Sequence, residues 1–215
     1  RRGAVADRPL RSPQHRDHGA AARSRRAAAA QAQADLADLR SELNARFSKG
    51  EPHAAQGRIQ RLDAAKFQGK RWVTRARPWV DRMACAWLIA RFIDAKAEFI
   101  WLADLAKAPA LTSRTQVGFD YDGARFTHIG NRVSFEVLLA SFGLDTDPRL
   151  QAMAPAIHYL DAGGIPVPQA AGLEAILGGL REVHADDDAL IRATHTVFDA
   201  LYAHTPAHVG ANPKT

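Results

Sequence analysis

The sequence KRWVTRARPWVDRMACAWLIARFID, residues 70–94, decides how the chain folds. Residues 72–74 are aromatic or β-branched, and such side chains favour a strand. Pro78 disfavours helical geometry in the residue before it, so the strand must end ahead of this proline. Asp81 is a residue type that accepts hydrogen bonds from the N–H groups of a helix start, and apolar residues follow it at helical spacing. We therefore predict a strand, a turn, and a helix whose N-cap is Asp81.

Three arginines surround the start of this predicted helix: Arg75, Arg77 and Arg82. Guanidinium groups and the N–H groups of a first helical turn both donate hydrogen bonds to anions. The sequence therefore predicts a site for a tetrahedral oxyanion such as sulfate or phosphate. The alternative is that the arginines pair with carboxylates and only fix the turn. The candidate carboxylates are Asp81, Asp94 and Glu98.

The positive charge of the chain is concentrated at its beginning. Residues 1–26 contain eight arginines and two aspartates, and their net charge equals the +6 of the whole 215-residue chain. The remainder is neutral overall and is long enough for one ordinary domain. We expect residues 1–26 to be a disordered basic arm that is either merely solvated or binds nucleic acid weakly and without sequence preference.

The single cysteine, Cys85, excludes an intramolecular disulfide and fits a reducing compartment. Inside a helix, it is either a small buried apolar residue or, if exposed in an electropositive setting, a reactive thiol or a metal ligand. We expect Cys85 and Asp81 to support the arginine site. The chain has no run of about 20 apolar residues and no apolar segment of signal-peptide type. We therefore expect a cytoplasmic protein with no membrane partner.

An alanine-rich helix and a connector are predicted over residues 27–69. Apolar side chains recur every three or four residues between residues 20 and 47, which is typical of a helix with a narrow apolar seam. The seam would pack against the domain or against a second copy of the chain in a homodimer. It consists of Leu36, Leu39, Leu43 and Phe47.

Three further strands are predicted after the central helix. The apolar run 97–101 has the length of a buried strand, which predicts a parallel βαβ unit together with the first strand. Residues 116–121 and 124–128 flank Asp122-Gly123, a pair that favours a tight turn. We expect these two segments to form an antiparallel hairpin.

Helices account for most of the remaining domain. Ser134 is the predicted N-cap of a helix that Gly143 ends, and Asp147-Pro148 is typical of the start of the next. Two more helices are predicted over residues 170–182 and 186–204. The expected fold class is α+β, a short βαβ unit and a hairpin packed by helices, over residues 70–204. Residues 205–215 are expected to be a tail.

Four residues after the hairpin are candidate metal ligands: His128, Glu136, His158 and Asp161. A spacing of three residues places His158 and Asp161 on one helical face, where they can bind one divalent cation or simply hydrogen-bond each other. No nucleophile elbow, phosphate loop, HExxH or CxxC motif is present. A metal-dependent enzyme that uses these ligands is therefore an alternative to an oxyanion-binding protein, and the sequence leaves open whether the protein is catalytic.

The chain resembles the C-terminal domain of the chromate-resistance ChrB-like proteins over about residues 62–202. The motifs that carry the resemblance are WVTRARPWVDRMACAWLIARFID (72–94), FDYDGARFTHIG (119–130), SFEVLL (134–139), IHYLD (157–161), GLEAILGGL (172–180) and FDALY (198–202). The resemblance implies participation in chromate resistance, as a cytoplasmic sensor of chromate or a similar oxyanion, or as an accessory to an export system.

Two departures from the family bear on these expectations. Longer relatives carry a winged-helix-like DNA-binding half before this domain, whereas residues 1–61 here contain no recognisable wing or recognition helix. Val133 and Tyr159 stand where the family often has a cysteine and an acidic residue, so a cation site here has fewer available ligands.

Overall fold

The computed structural model describes residues 22–32, 35, 52–105 and 115–204. The chain divides into two compact units, Arg1–Arg46 and Phe47–Thr215. In the first unit, residues 22–32 form an exposed helix, α1, which begins inside the stretch that we expected to be disordered. The predicted apolar seam at residues 36–47 lies outside the described residues, as do residues 1–21 and the tail.

The second unit has the α+β architecture predicted from the sequence. Helix α2 (Val80–Leu88) runs on into a π-helical turn, Ile89–Ile93, and short 3-10 helices lie at Ala64–Phe67 and Leu144–Thr146. Among the described residues, no helix combines the length and the apolar composition that crossing a membrane requires. The main elements are β1 (Arg71–Arg75), α2 (Val80–Leu88), β2 (Glu98–Leu102), β3 (Gln116–Gly118), α3 (Ser134–Phe142), α4 (Pro148–Asp161), α5 (Ala170–Val183) and α6 (Asp187–His204).

The three strands form one parallel sheet in the order β2-β1-β3. The predicted βαβ unit is therefore confirmed, with α2 connecting β1 to β2. Strand β1 lies in the middle, and its residues Trp72, Val73 and Thr74 are buried. Both faces of the central strand are therefore covered, as is usual for a parallel strand.

The predicted antiparallel hairpin is wrong, although a turn lies at the predicted place. The N–H of Ala124 donates to the Tyr121 carbonyl at 3.0 Å and Gly123 has a φ of +81°, but Asp122 lacks the positive φ of a tight hairpin turn. Strand β3 forms its ladder with β1, and Phe119 and Phe126 make only an isolated parallel bridge. Both phenylalanine rings pack on Trp72, with ring centroids 6.3 and 5.9 Å from that of the indole. Burial of the two rings against β1 thus replaces the strand pairing that local sequence favours.

Helix α2 lies at the centre of the helical layer. It contacts α3, α4 and α6, and all of its residues are buried. The predicted apolar stripe is therefore only part of a helix that is covered on every side. Its two charged residues, Asp81 and Arg82, are buried with the rest and require polar partners inside the protein.

Asp94 joins the end of this helical segment to the start of β1. Its buried carboxylate accepts hydrogen bonds from the backbone N–H groups of Gly69, Lys70 and Lys96, at 2.8, 2.9 and 3.1 Å, and from Nε1 of Trp72 at 3.0 Å. Burial alone would raise the pKa of Asp94, but these four donors outweigh it and lower the pKa. The carboxylate therefore fixes where β1 begins.

Candidate functional site

The carboxyl ends of β1 and β3 meet at one edge of the sheet. Arg75 is the last residue of β1, and Asp120 follows the end of β3 by two residues. Helix α2 starts beyond the same edge and supplies Asp81 and Arg82 from its first turn. Because β1 and β3 are parallel neighbours, Asp120 lies next to Arg75, Asp81 and Arg82 although it is distant from them in sequence.

Asp120 is the hub of this arrangement. One carboxylate oxygen, Oδ1, accepts a hydrogen bond from the Ser134 hydroxyl at 2.7 Å and lies 3.5 Å from Nε2 of His128. The other, Oδ2, lies 3.6 Å from Nε of Arg82 and 3.9 Å from Nη2 of Arg75. Burial opposes ionisation, but His128 and Arg82 outweigh it and lower the pKa of Asp120 to about 2.

The backbone of Asp120 is also unusual, because its φ of +53° lies in the left-handed region. For a residue other than glycine this conformation costs on the order of 1 kcal/mol or more and is found disproportionately at functional sites. The surrounding contacts therefore hold the carboxylate in a strained position between the cations.

Asp81 caps a helix, but not the one that the sequence predicts. Helix α2 begins at Val80 after Trp79, whereas the Asp81 carboxylate accepts hydrogen bonds from the N–H groups of Ser134 at 2.9 Å and Phe135 at 3.0 Å. These two residues open α3, so Asp81 satisfies the donors of a neighbouring helix. Ser134 is accordingly the first residue of α3 and not its N-cap. Burial and the nearby Asp120 raise the pKa of Asp81 well above its usual value.

His128 lies among three carboxylates. Its Nε2 is 3.3 Å from Asp161 Oδ2, 3.5 Å from Asp81 Oδ2 and 3.5 Å from Asp120 Oδ1. Burial would lower the pKa of His128, but the carboxylates of Asp120, Asp161 and Asp81 raise it to about 12. Asp161, the last residue of α4, is almost completely buried, and burial raises its pKa.

Three of these groups lie within reach of one small cation. A nitrogen of His128 and carboxylate oxygens of Asp81 and Asp161 all lie within 4.8 Å of one another. The sequence predicts His128 and Asp161 as metal ligands and Asp81 only as a support of the oxyanion site. It does not predict a role for Asp120, which lies within the strand expected over residues 116–121.

The other two predicted ligands form a separate pair. Nδ1 of His158 lies 2.7 Å from Oε2 of Glu136, and the same oxygen accepts a hydrogen bond from the N–H of Val133 at 3.0 Å. Both side chains are about a quarter exposed. The structure thus divides the predicted ligand set into the buried His128 and Asp161 and a half-buried bond between α3 and α4.

Arg77 is directed away from the other two arginines. With a φ of +53°, it donates hydrogen bonds to the backbone carbonyls of Arg181, His184 and Ala185, and its own N–H donates to Asp187 at 2.8 Å. The predicted group of three arginines is therefore not brought together: Arg75 and Arg82 face Asp120, and Arg77 binds the loop between α5 and α6.

Cys85 is a buried residue of α2, and burial is one of the two environments that the sequence predicts for it. Its Sγ lies 3.8 Å from Oδ1 of Asp81. Burial and the surrounding aspartates raise the pKa of the Cys85 thiol well above its usual value. The neutral thiol therefore packs beneath Asp81, and the reactive, exposed alternative does not apply.

Comparison with known proteins gives one consistent result. The family model described as ChrB, C-terminal domain, matches residues 72–205. Protein ChrB of Cupriavidus metallidurans is 51% identical over 177 residues, which cover 82% of this chain and 53% of that protein. The chain therefore spans about half the length of the curated relative that it matches. No solved structure matches the chain.

Proposed function

Because this chain belongs to the family of the ChrB C-terminal domain, we propose that it acts in chromate resistance by binding chromate, a tetrahedral dianion, at Arg75 and Arg82. The observation that carries the proposal is that these two arginines, seven residues apart in sequence, converge on the single carboxylate of Asp120. The resemblance to chromate-resistance proteins supports chromate as the anion, and the arginine pair is its proposed binding site.

Charge and exposure both support this assignment. Guanidinium groups are permanently charged and donate paired hydrogen bonds to oxyanions, and two of them converge beside Asp120. The side chains of Arg75 and Arg82 are only 12% and 5% exposed, so solvent screens their charges weakly. A doubly charged oxyanion that contacts both guanidinium groups would accept charge-assisted hydrogen bonds from each.

Arg77 has a supporting role in this proposal. Its hydrogen bonds to the α5–α6 loop hold the turn between β1 and α2, and this turn sets the separation of Arg75 and Arg82. It is a positioning residue and does not contact the anion.

Calorimetric titration with chromate, and with sulfate as a non-oxidising analogue, tests the proposal. We expect both anions to bind wild type and to raise its Tm more than chloride does at equal ionic strength. Sulfate should compete with chromate, because arginine pairs discriminate poorly between oxyanions of the same shape and charge. Wild-type protein that shows no binding of either anion would overturn the proposal.

Variants locate the site. Arg75→Gln should abolish most of the anion response, and Arg82→Gln should do the same if its near-ultraviolet circular dichroism shows an intact fold. Arg91→Gln is the matched control, because Arg91 is exposed and pairs with Asp199 on another part of the domain. An equal loss of response in the Arg91 variant would show that the effect comes from overall charge.

A further inference from the structure

We propose that Asp81, His128 and Asp161 form a binding site for a divalent transition-metal ion such as Mn²⁺, Fe²⁺ or Zn²⁺, with Asp120 beside it. This inference does not rest on the proposed binding of chromate. It differs from the ligand set that the sequence predicts, since it excludes Glu136 and His158 and includes Asp81.

The distances from His128 to the surrounding carboxylates are those expected between ligands of one metal ion. The Nε2 of His128 lies 3.3 to 3.5 Å from an oxygen of each of three aspartates. Hydrogen bonds from N–H to oxygen are about 2.7–3.2 Å long, and one N–H cannot satisfy three acceptors. Two ligands bonded to the same tetrahedral ion at about 2.1 Å lie about 3.4 Å apart. The observed separations match ligands around a common ion better than they match hydrogen bonds.

Asp161 is buried next to His128 without accepting a hydrogen bond. Both of its carboxylate oxygens are buried without a hydrogen bond, although its side chain is only 1% exposed, and Nε2 of His128 is in the same condition. A buried polar group without a partner costs about 1–3 kcal/mol, and a buried charge costs more. A cation between the two residues would satisfy both at once.

The carboxylates of Asp81 and Asp120 are already held in place by hydrogen bonds. Asp81 is oriented by the two N–H groups of α3, and Asp120 by the Ser134 hydroxyl. Metal sites typically hold their ligands in this way by outer hydrogen bonds. The chemistry of two or three carboxylates with one imidazole, and no thiolate, favours borderline divalent ions over copper(I) or an iron–sulfur cluster.

The site also explains the division of Asp120. Its Oδ1 faces His128 and the metal ligands, whereas its Oδ2 faces the two arginines. Arg75 and Arg82 would thus balance the negative charge of a carboxylate-rich metal site from the side opposite to the ion.

The test uses the full chain without an affinity tag, stripped with chelator and titrated with Mn²⁺. We expect one ion per chain, a rise in Tm on addition of Mn²⁺, and pulsed electron paramagnetic resonance that shows coupling to one imidazole nitrogen. Zn²⁺ should displace the Mn²⁺ signal. Wild-type protein that binds neither ion would overturn the proposal, and so would bound Mn²⁺ without nitrogen coupling.

Two amide variants identify the ligands. Asp161→Asn should weaken Mn²⁺ binding by more than about 100-fold, beyond the usual effect of an outer residue. Its metal-free form should lose little stability, because neither oxygen of the Asp161 carboxyl accepts a hydrogen bond. Glu136→Gln is the matched control and should retain full affinity. The coupling should persist in His158→Gln and disappear in His128→Gln.

The reverse pattern would refute the assignment. If Glu136→Gln abolishes binding while Asp161→Asn retains it, the metal lies at the half-buried pair between α3 and α4. If Asp161→Asn does not fold, the persistence of nitrogen coupling in His158→Gln still distinguishes His128 from His158 as the ligand.

Discussion

Replacing Asp94 by asparagine should destabilise the domain, because hydrogen bonds to the carboxylate are lost. Each carboxylate oxygen accepts two bonds: Oδ1 from Gly69 and Lys96, and Oδ2 from Lys70 and Trp72. Asparagine keeps one oxygen and turns the other into an NH₂ donor, so two donors lose their acceptor whichever way the amide is oriented.

The magnitude follows from the two hydrogen bonds that are lost. The amide oxygen can keep the bonds to Lys70 and to the buried Trp72 indole, which leaves the partly buried N–H groups of Gly69 and Lys96 without this acceptor. At about 0.5–1.5 kcal/mol for each hydrogen bond, the free energy of unfolding falls by about 1–3 kcal/mol, against about 5–15 kcal/mol for a typical domain. The lower end corresponds to a fall in Tm of about 2–4 °C in a domain of this size. Urea denaturation followed by tryptophan fluorescence measures the difference.

Asp199→Asn is the matched control. Asp199 also accepts a hydrogen bond from a tryptophan, Nε1 of Trp87 at 3.0 Å, but it is half exposed and forms a salt bridge with the exposed Arg91. The amide oxygen can keep the indole bond, so the loss should stay below about 1 kcal/mol. An Asp94 variant that loses no more stability than the Asp199 variant would refute the reasoning.

The pH dependence gives a second check on Asp94. A carboxylate whose pKa is lowered by folding stabilises the native state above its unfolded pKa, and this contribution is lost as the pH falls through the folded pKa. The stability difference between wild type and Asp94→Asn should therefore be complete above pH 3.8, the ordinary value, and should shrink below it. A difference that stays constant on acidification would contradict the role of the charge.

Two further predictions concern parts of the chain outside the buried cluster of Asp81, Asp120, His128 and Asp161. Arg77→Ala removes the hydrogen bonds to the carbonyls of Arg181 and His184 and should lower stability by about 2–4 kcal/mol in urea denaturation; a loss below about 0.5 kcal/mol would show that the turn holds without it. Deleting residues 1–26, which hold the net charge of +6, should abolish retention on nucleic acid at low salt and leave the Tm of the domain unchanged. Binding that is sequence-specific and survives physiological salt would contradict this account of the arm.

Local sequence signals predicted the helices well because their causes are local. The Asp147 carboxylate accepts the hydrogen bond from the Arg149 N–H that its place before Pro148 indicates, and Gly143 ends α3 with a φ of +74°. The hairpin failed for the opposite reason. Asp122-Gly123 determines a turn, but which strand pairs with β3 depends on the burial of distant aromatic residues against β1.

The buried cluster of Asp81, Asp120, His128 and Asp161 could likewise be predicted only in part. His128 and Asp161 could be named from their residue types and positions, and the structure places them together. The place of Asp120 required knowledge that β3 lies beside β1, and the role of Asp81 required the position of α3. Glu136 and His158 satisfied the same sequence criteria as the buried pair, and only the tertiary structure separates them.

Anomalous diffraction at the manganese absorption edge, from crystals of the untagged protein grown with Mn²⁺, tests the central claim most directly. We predict one strong peak about 2 Å from Nε2 of His128 and from carboxylate oxygens of Asp81 and Asp161. A peak between Glu136 and His158 would contradict the account. So would the absence of a peak beside His128 with its Nε2 hydrogen-bonded to protein groups.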